Sequence, residues 1–300
     1  MKINIDQILV IPTKSRYELE VERSGKEKAR EKFGVNGVWE NICEGHKAQK
    51  ENLEKVSKVI NSKKIVYREL LTEEKIKDNE VFFFLGGDNH FTYCSQIILK
   101  YLKKNPDEKK YIAGVVLDSS KSLGALLNFG FEDFIELIKN PGKLGLEKWT
   151  VLESKVSTGE VSPAIGDYFI GEKERVFMSR NKAYLDEKEL LLDKSAGILV
   201  VTGSGSDKGS WYNNVHNTYY GESGVFGREE EIASIILTEN ESKTKIQLKK
   251  GQTLIIDSYN DDEGIIAPDS HLEHSADFSI GARVEIKISD LKLNVLKPTK

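Results

Sequence analysis

Two short stretches carry residue types able to do chemistry. The first is residues 81–90, VFFFLGGDNH, where Asp88 directly follows Gly86 and Gly87. Glycines let the chain turn sharply and let a ligand approach the main chain. A carboxylate at that point is suited to orienting or deprotonating a hydroxyl. The plainer reading of the same residues is a tight turn with a helix-capping aspartate. The second stretch is residues 202–211, TGSGSDKGSW. Its glycines and serines offer backbone N–H groups and hydroxyls that suit phosphate or ribose contacts; the alternative is a loop between strands. It is not a Walker A loop, because Lys208 precedes Gly209, nor a dinucleotide fingerprint, because its third glycine falls one residue late.

Other chemistry is poorly supported. His46, His90, His216, His271 and His274 show no zinc spacing, and Cys43 and Cys94 give no metal-ligand pattern. Protein-borne metal ligands are therefore not expected. Asp261, Asp262 and Glu263 read as a turn rather than a calcium loop. No Gly-x-Ser-x-Gly elbow occurs at a strand–helix turn outside the second stretch.

The elements that must position these groups follow from the apolar pattern. Residues 81–85 form an unbroken apolar run ending at glycine, the mark of a strand buried on both faces. Phe91, Cys94, Ile97, Ile98, Tyr101 and Leu102 then make one helical face. Asp88 thus falls at the carboxyl end of a strand, where open α/β sheets bind ligands. Residues 8–11 predict a strand stopped by Pro12, and 13–18 a polar turn opening a charged helix. Arg16 there faces either a phosphate or a neighbouring glutamate. Residues 44–61 predict a helix, 65–70 a strand, 71–79 a polar connector, 111–117 a buried strand ending at Asp118, and 131–139 a helix. Strands alternating with helices imply a parallel sheet.

After Pro141, Gly142 and Gly145 the pattern changes to strands alone, at 149–153, 167–170, 175–179, 198–201, 232–237, 253–257, 264–267 and 284–288. The expected organisation is an α/β nucleotide-binding domain over 1–130 and a β-rich domain over 131–300. Residues 291–296 return to either one. A net charge of −4 argues against a nucleic-acid binder. With 39% hydrophobic and 31% charged residues, the chain can bury real cores in water. No stretch approaches a membrane span, and the start resembles neither a secretory nor a transit peptide, so a cytoplasmic protein is expected.

The pieces resemble the NAD kinase family. VFFFLGGDNH is similar to its Gly-Gly-Asp-Gly-Thr motif, with Asn89 and His90 in place of the last two residues. TGSGSDKGSW, preceded by SAGILVV, is similar to its second Gly/Ser/Thr-rich motif. GVVLDSSKSLGALLNF resembles the segment between the two. PAIGDYFIGEKERVFMSRNKAYLDEKE resembles the region of its Asn-Glu pair, with Gly166 and Asp167 standing there. The tail IIAPDSHLEHSADFSIGARVEIKISDLKLNVL is similar to its closing hairpins. TKSRYELE and EGHKAQKENLEKV look like the mitochondrial-type branch.

The resemblance implies the two-domain NAD kinase fold, with the β-rich domain completing the dinucleotide site. It implies transfer of the ATP γ-phosphoryl to the 2′-hydroxyl of the adenosine ribose of NAD, giving NADP, with Mg²⁺ neutralising charge. Asp88 becomes the expected base. Gly86, Gly87, Asn89, His90, Asp118, Asp167, Thr202, Gly203, Ser204, Gly205 and Ser206 become the expected nucleotide contacts. His90 as an imidazolium would meet a phosphate. Partners are then small-molecule nucleotides and further copies of the chain, as a dimer or tetramer. A catalytically silent NAD(P)-binding protein and a lipid kinase of the same superfamily stay open as alternatives.

Overall fold

A computed structural model describes residues 4–117, 124–174, 177–190, 194–206, 226–237, 246–261 and 263–299. The chain divides into two units. One comprises Met1–Phe91, Lys110–Leu146 and Leu296–Lys300; the other comprises Thr92–Lys109 and Glu147–Val295.

The first unit is α/β. Its elements are β1 (Ile8–Pro12), α1 (Arg16–Ser24), α2 (Lys26–Phe33), α3 (Val38–Val59), α4 (Glu73–Lys77) and β2 (Val81–Gly86). Next come α5 (Asp88–Lys104), whose later turns belong to the second unit, then β3 (Tyr111–Val116), α6 (Phe131–Lys139) and β4 (Leu144–Trp149). β2 runs parallel to β1, Ile8 opposite Val81, and parallel to β3, Val81 opposite Tyr111. Every residue of β1 and β2 is buried, which is why their sequences are continuous apolar runs rather than alternating ones. Phe83 of β2 lies 4.9 Å from the ring of Phe134 on α6 and 6.1 Å from Phe129.

The second unit is antiparallel β. It holds β5 (Leu152–Val156), β6 (Asp167–Glu172), β7 (Asn181–Leu185), β8 (Lys188–Leu190), β9 (Ile198–Thr202), the single turn α7 (Gly203–Ser206) and β10 (Ile232–Leu237). β11 (Ile246–Lys249), β12 (Leu254–Ser258), β13 (Gly264–Pro268), β14 (Ala276–Asp277) and β15 (Arg283–Ile288) follow, and β16 (Leu293–Pro298) begins in this unit and ends in the first. One sheet has the order β11-β10-β9-β6-β13-β14 and another β5-β15-β12-β7-β8. Their inward residues form one core, including Tyr168, Ile170, Val200, Ile256, Val284 and Ile286. The strict alternation of β15, with Val284, Ile286 and Ile288 buried, is that of a sheet covered on one face. β16 joins the first sheet, ordered β1-β2-β3-β16-β4. An α/β part with a parallel-containing sheet, followed by a β-rich part, is the fold class expected from the residues.

Several local expectations fail for identifiable reasons. Residues 65–70 are not a strand: Ile65 makes one bridge to Val10, and Arg68–Leu70 is a 3₁₀ turn. The apolar run stops at Arg68 and Glu69, so there is no second buried face to hold. The connector 71–79 contains α4, whose N-terminus Thr72 caps by accepting from the Lys75 N–H. Residues 149–153 are not one strand. Thr150 leaves the ladder, its N–H donating to the Arg228 carbonyl at 2.7 Å and its hydroxyl to the Glu230 carbonyl at 2.9 Å. Of 175–179, the first two residues lie outside the described set, and Ser179 makes only an isolated bridge to Ser195.

Candidate active site

In the first unit, β2 runs straight into α5. Gly87 accepts the first helical hydrogen bond, from the Phe91 N–H at 3.0 Å, and Asp88 opens the helix. Both oxygens of Asp88 are held: one accepts from the Leu126 N–H at 2.8 Å, the other from the Ala125 N–H at 3.1 Å. Two such bonds fix the carboxylate plane while leaving acceptor capacity on each oxygen. A Cβ on Gly86 would lie 3.0 Å from His90 Cδ2 and 3.1 Å from Thr13 Cγ2, so glycine lets these two side chains pack closely on the turn.

Gly86 and Gly87 line a cleft of about 350 Å³ at the carboxyl ends of β1, β2 and β3. Thr13, Lys14, Ser15 and Arg16 after β1 line it too, with Asn41, His46 and Gln49 from α3. Ser15 caps α1 in a box with Glu18 and also bonds His46 Nδ1 at 2.7 Å. His46 stacks on Tyr17, with ring centroids 4.6 Å apart. Arg16, left open between phosphate and glutamate, pairs with Glu20 at 3.7 Å. Lys14 pairs with Glu22 at 2.9 Å.

Asn89 is exposed, whereas His90 is buried and donates from Nε2 to the Ile11 carbonyl at 2.9 Å. Burial pushes its pKa down to about 4, against the smaller opposing effect of that hydrogen bond. The ring is therefore neutral at pH 7 and ties α5 to β1, rather than presenting an imidazolium. The unfolded chain binds the proton more readily, so stability is full above the ordinary histidine pKa near 6.5 and falls as pH drops toward 4. The expected loss is about 2 kcal/mol by pH 5. Urea midpoints of wild type and His90→Gln across pH 5–7 measure it. An equal slope in both proteins would remove His90 as the source.

The second unit brings Asp167 and the Gly/Ser turn together. Asp167 opens β6 opposite Val201 of β9, and Thr202 follows. The Thr202 N–H donates to the Gly166 carbonyl at 2.9 Å, and its hydroxyl donates to the Ile165 carbonyl at 2.5 Å. The same hydroxyl accepts from the Gly205 N–H at 3.3 Å, closing α7. Gly203 and Gly205 have no room for a side chain: a Cβ would sit 2.2 Å from the Gly227 carbonyl oxygen and 2.3 Å from that of Gly166. The Ser206 hydroxyl bonds the Gly203 carbonyl at 3.3 Å. The Ser204 hydroxyl is fully buried with no hydrogen-bond partner among the described residues. Such an orphaned group is costly unless something else satisfies it. Asp167 is likewise completely buried. Asp118 and residues 207–211 lie outside the described set.

One residue absent from the sequence reading stands out. Asp269 is buried, and its carboxylate accepts from three successive backbone N–H groups: Ile165 at 3.1 Å, Gly166 at 2.6 Å and Asp167 at 3.1 Å. The Gln96 side-chain amide donates a fourth bond at 2.6 Å. Burial raises the Asp269 pKa, and these hydrogen bonds oppose the rise. Asp269 and Ser270 both adopt positive φ, 48° and 62°, a strained choice for residues with side chains. The Asp-Ser pair after Pro268 is a turn signal, but nothing local indicates which N–H groups it meets. Beside it, His271 Nε2 bonds Thr92 Oγ1 at 2.9 Å, and His274 Nδ1 meets Gln96 Oε1. Among the described residues no group of three or more His, Cys, Asp or Glu could hold a metal ion, and no helix is long and apolar enough to cross a membrane.

No family model and no curated protein matches this chain. Solved structures do match it. Yeast NADH kinase complexed with NADH superposes with a TM-score of 0.60 at 14% identity, over 78% of this chain and 66% of that one. An NAD kinase from Archaeoglobus fulgidus in complex with ATP superposes with a TM-score of 0.59 at 14% identity, over 96% of this chain and 92% of that one. At such identity the likeness is one of fold, and this chain is folded as NAD kinases are.

Proposed function

We propose that the chain is an NAD kinase-like phosphotransferase, moving the ATP γ-phosphoryl to the 2′-hydroxyl of the adenosine ribose of NAD, with Asp88 as the base. The observation that carries this is the Asp88 carboxylate itself. It stands at the carboxyl end of a buried parallel strand, fixed by two backbone N–H groups, directly after two glycines that line a cleft. A ribose hydroxyl is a poor nucleophile at neutral pH, and a positioned carboxylate is the group that activates it. The ligands bound in the two fold neighbours, NADH and ATP, support the choice of substrates.

Gly86 and Gly87 leave space for phosphate to approach the main chain. Asn89, exposed beside them, is a further nucleotide contact. Asp167, Thr202 and Ser204 are the hydroxyl-binding candidates, and the Ser204 hydroxyl has no hydrogen-bond partner among the described residues. The described residues supply no cage for Mg²⁺. The ion enters as the counter-ion of the nucleotide phosphates, as Mg²⁺ commonly does. Membership of the mitochondrial-type branch, a homo-oligomeric state and a cytoplasmic location belong to the same proposal.

The test is NADP formation by purified protein supplied with NAD or NADH, ATP and Mg²⁺. Production of NADP or NADPH is the expected result. Saturable NAD binding by calorimetry with no turnover on ATP or polyphosphate would replace the kinase by a silent dinucleotide-binding protein.

A further inference from the structure

We infer that Asp269 is a positioning residue for the dinucleotide: its carboxylate acts as a built-in anion that holds the 165–167 corner in shape for binding. This rests on the proposed reaction, because it assigns Asp167 and the Thr202 turn to the dinucleotide.

Three successive N–H groups converging on one anion form a nest of the kind that elsewhere binds phosphate. Here the nest is filled from within. The Asp269 oxygens lie 2.6–3.1 Å from the N–H groups of Ile165, Gly166 and Asp167. In the other direction, the Asp269 N–H donates to the Asp167 carbonyl at 2.8 Å. Asp167 is thus clamped on both sides of its own peptide units. The same corner supplies the Ile165 and Gly166 carbonyls on which Thr202 docks. Gly205 then packs against Gly166 with no space for a methyl group. Asp269 therefore sets the geometry of both candidate elements of this unit. Its own backbone is held at positive φ to do so, and strain of this kind persists where the surroundings over-determine it.

The experiment is chemical rescue. Asp269→Gly suits the backbone, since glycine adopts positive φ freely, and it leaves the nest vacant. The expected result is an NAD KM raised by about tenfold or more, with kcat changed far less, because a corner no longer held in its binding shape must be ordered at the expense of affinity. Sodium formate, which restores a carboxylate to the nest, is expected to return most of the lost affinity, whereas formamide is not. A merely structural role predicts no such selectivity. NAD affinity by calorimetry is followed alongside turnover. Wild type that binds NAD without turnover would sink the kinase proposal and leave this one testable on Kd. A folded Asp269→Gly protein with wild-type NAD affinity, or with a defect that formate and formamide repair equally, would overturn the inference. If Asp269→Gly fails to fold, Gln96→Ala removes one of the four bonds and is expected to raise the NAD KM about threefold; an unchanged KM overturns it too.

Discussion

Replacing Asp88 with asparagine is expected to lower NADP formation about 100- to 10,000-fold, the range a lost general base produces. Asparagine keeps the size of the side chain and one acceptor. Its amide nitrogen, however, must face either the Leu126 or the Ala125 N–H, which the carboxylate now accepts from at 2.8 and 3.1 Å. Two donors opposed across such a gap cost one hydrogen bond, about 1 kcal/mol. That is small beside the predicted loss of rate. The two effects separate cleanly: urea midpoints report the hydrogen bond, and single-turnover rates at saturating NAD and ATP report the base. An Asp88→Asn protein that folds normally and keeps a rate within threefold of wild type would remove Asp88 from the chemistry.

The second large effect is expected at Gly205. A methyl group there would stand 2.3 Å from the Gly166 carbonyl oxygen and 2.9 Å from both its carbon and Val201 Cγ1. The obstructing atoms are chiefly backbone, and that backbone is pinned by Thr202 on one side and Asp269 on the other. It has little freedom to yield. Gly205→Ala is therefore expected to cost about 3 kcal/mol and to abolish dinucleotide binding even where the protein remains folded. Gly142→Ala is the control, because nothing lies within 4 Å of the added atom; its change should stay within about 0.5 kcal/mol. Thermal melts and NAD calorimetry on both variants check the pair. Equal stability and equal binding would show that the Thr202 turn can relax.

Much of the scaffold was legible in the residues. The runs that became β1, β2 and β3 are apolar without interruption because strands buried on both faces admit no polar position. α6 was legible because its apolar residues repeat at the helical period between glycine and asparagine. The change from helices to strands after residue 141 was legible for the same reason: period alone distinguishes the two. The hairpin of β7 and β8 was not. Its turn places Asp186 and Glu187 at φ 47° and 68°, a conformation normally signalled by Asn-Gly. With no glycine, the pattern was silent.

The chemistry divides along the same line. Sequence alone placed Asp88 after two glycines at a strand end, since strand, turn and helix signals lie within ten residues of one another. Tertiary structure alone decided what that carboxylate meets, because Ala125 and Leu126 lie 37 and 38 residues away. It decided that His90 is neutral, since burial outweighs the hydrogen bond to the Ile11 carbonyl, 79 residues distant, which favours the charged form. It also revealed Asp269, whose backbone partners lie 102–104 residues earlier. Periodicity records how deeply a residue is buried. Which donor meets which acceptor is fixed only when distant segments close on one another.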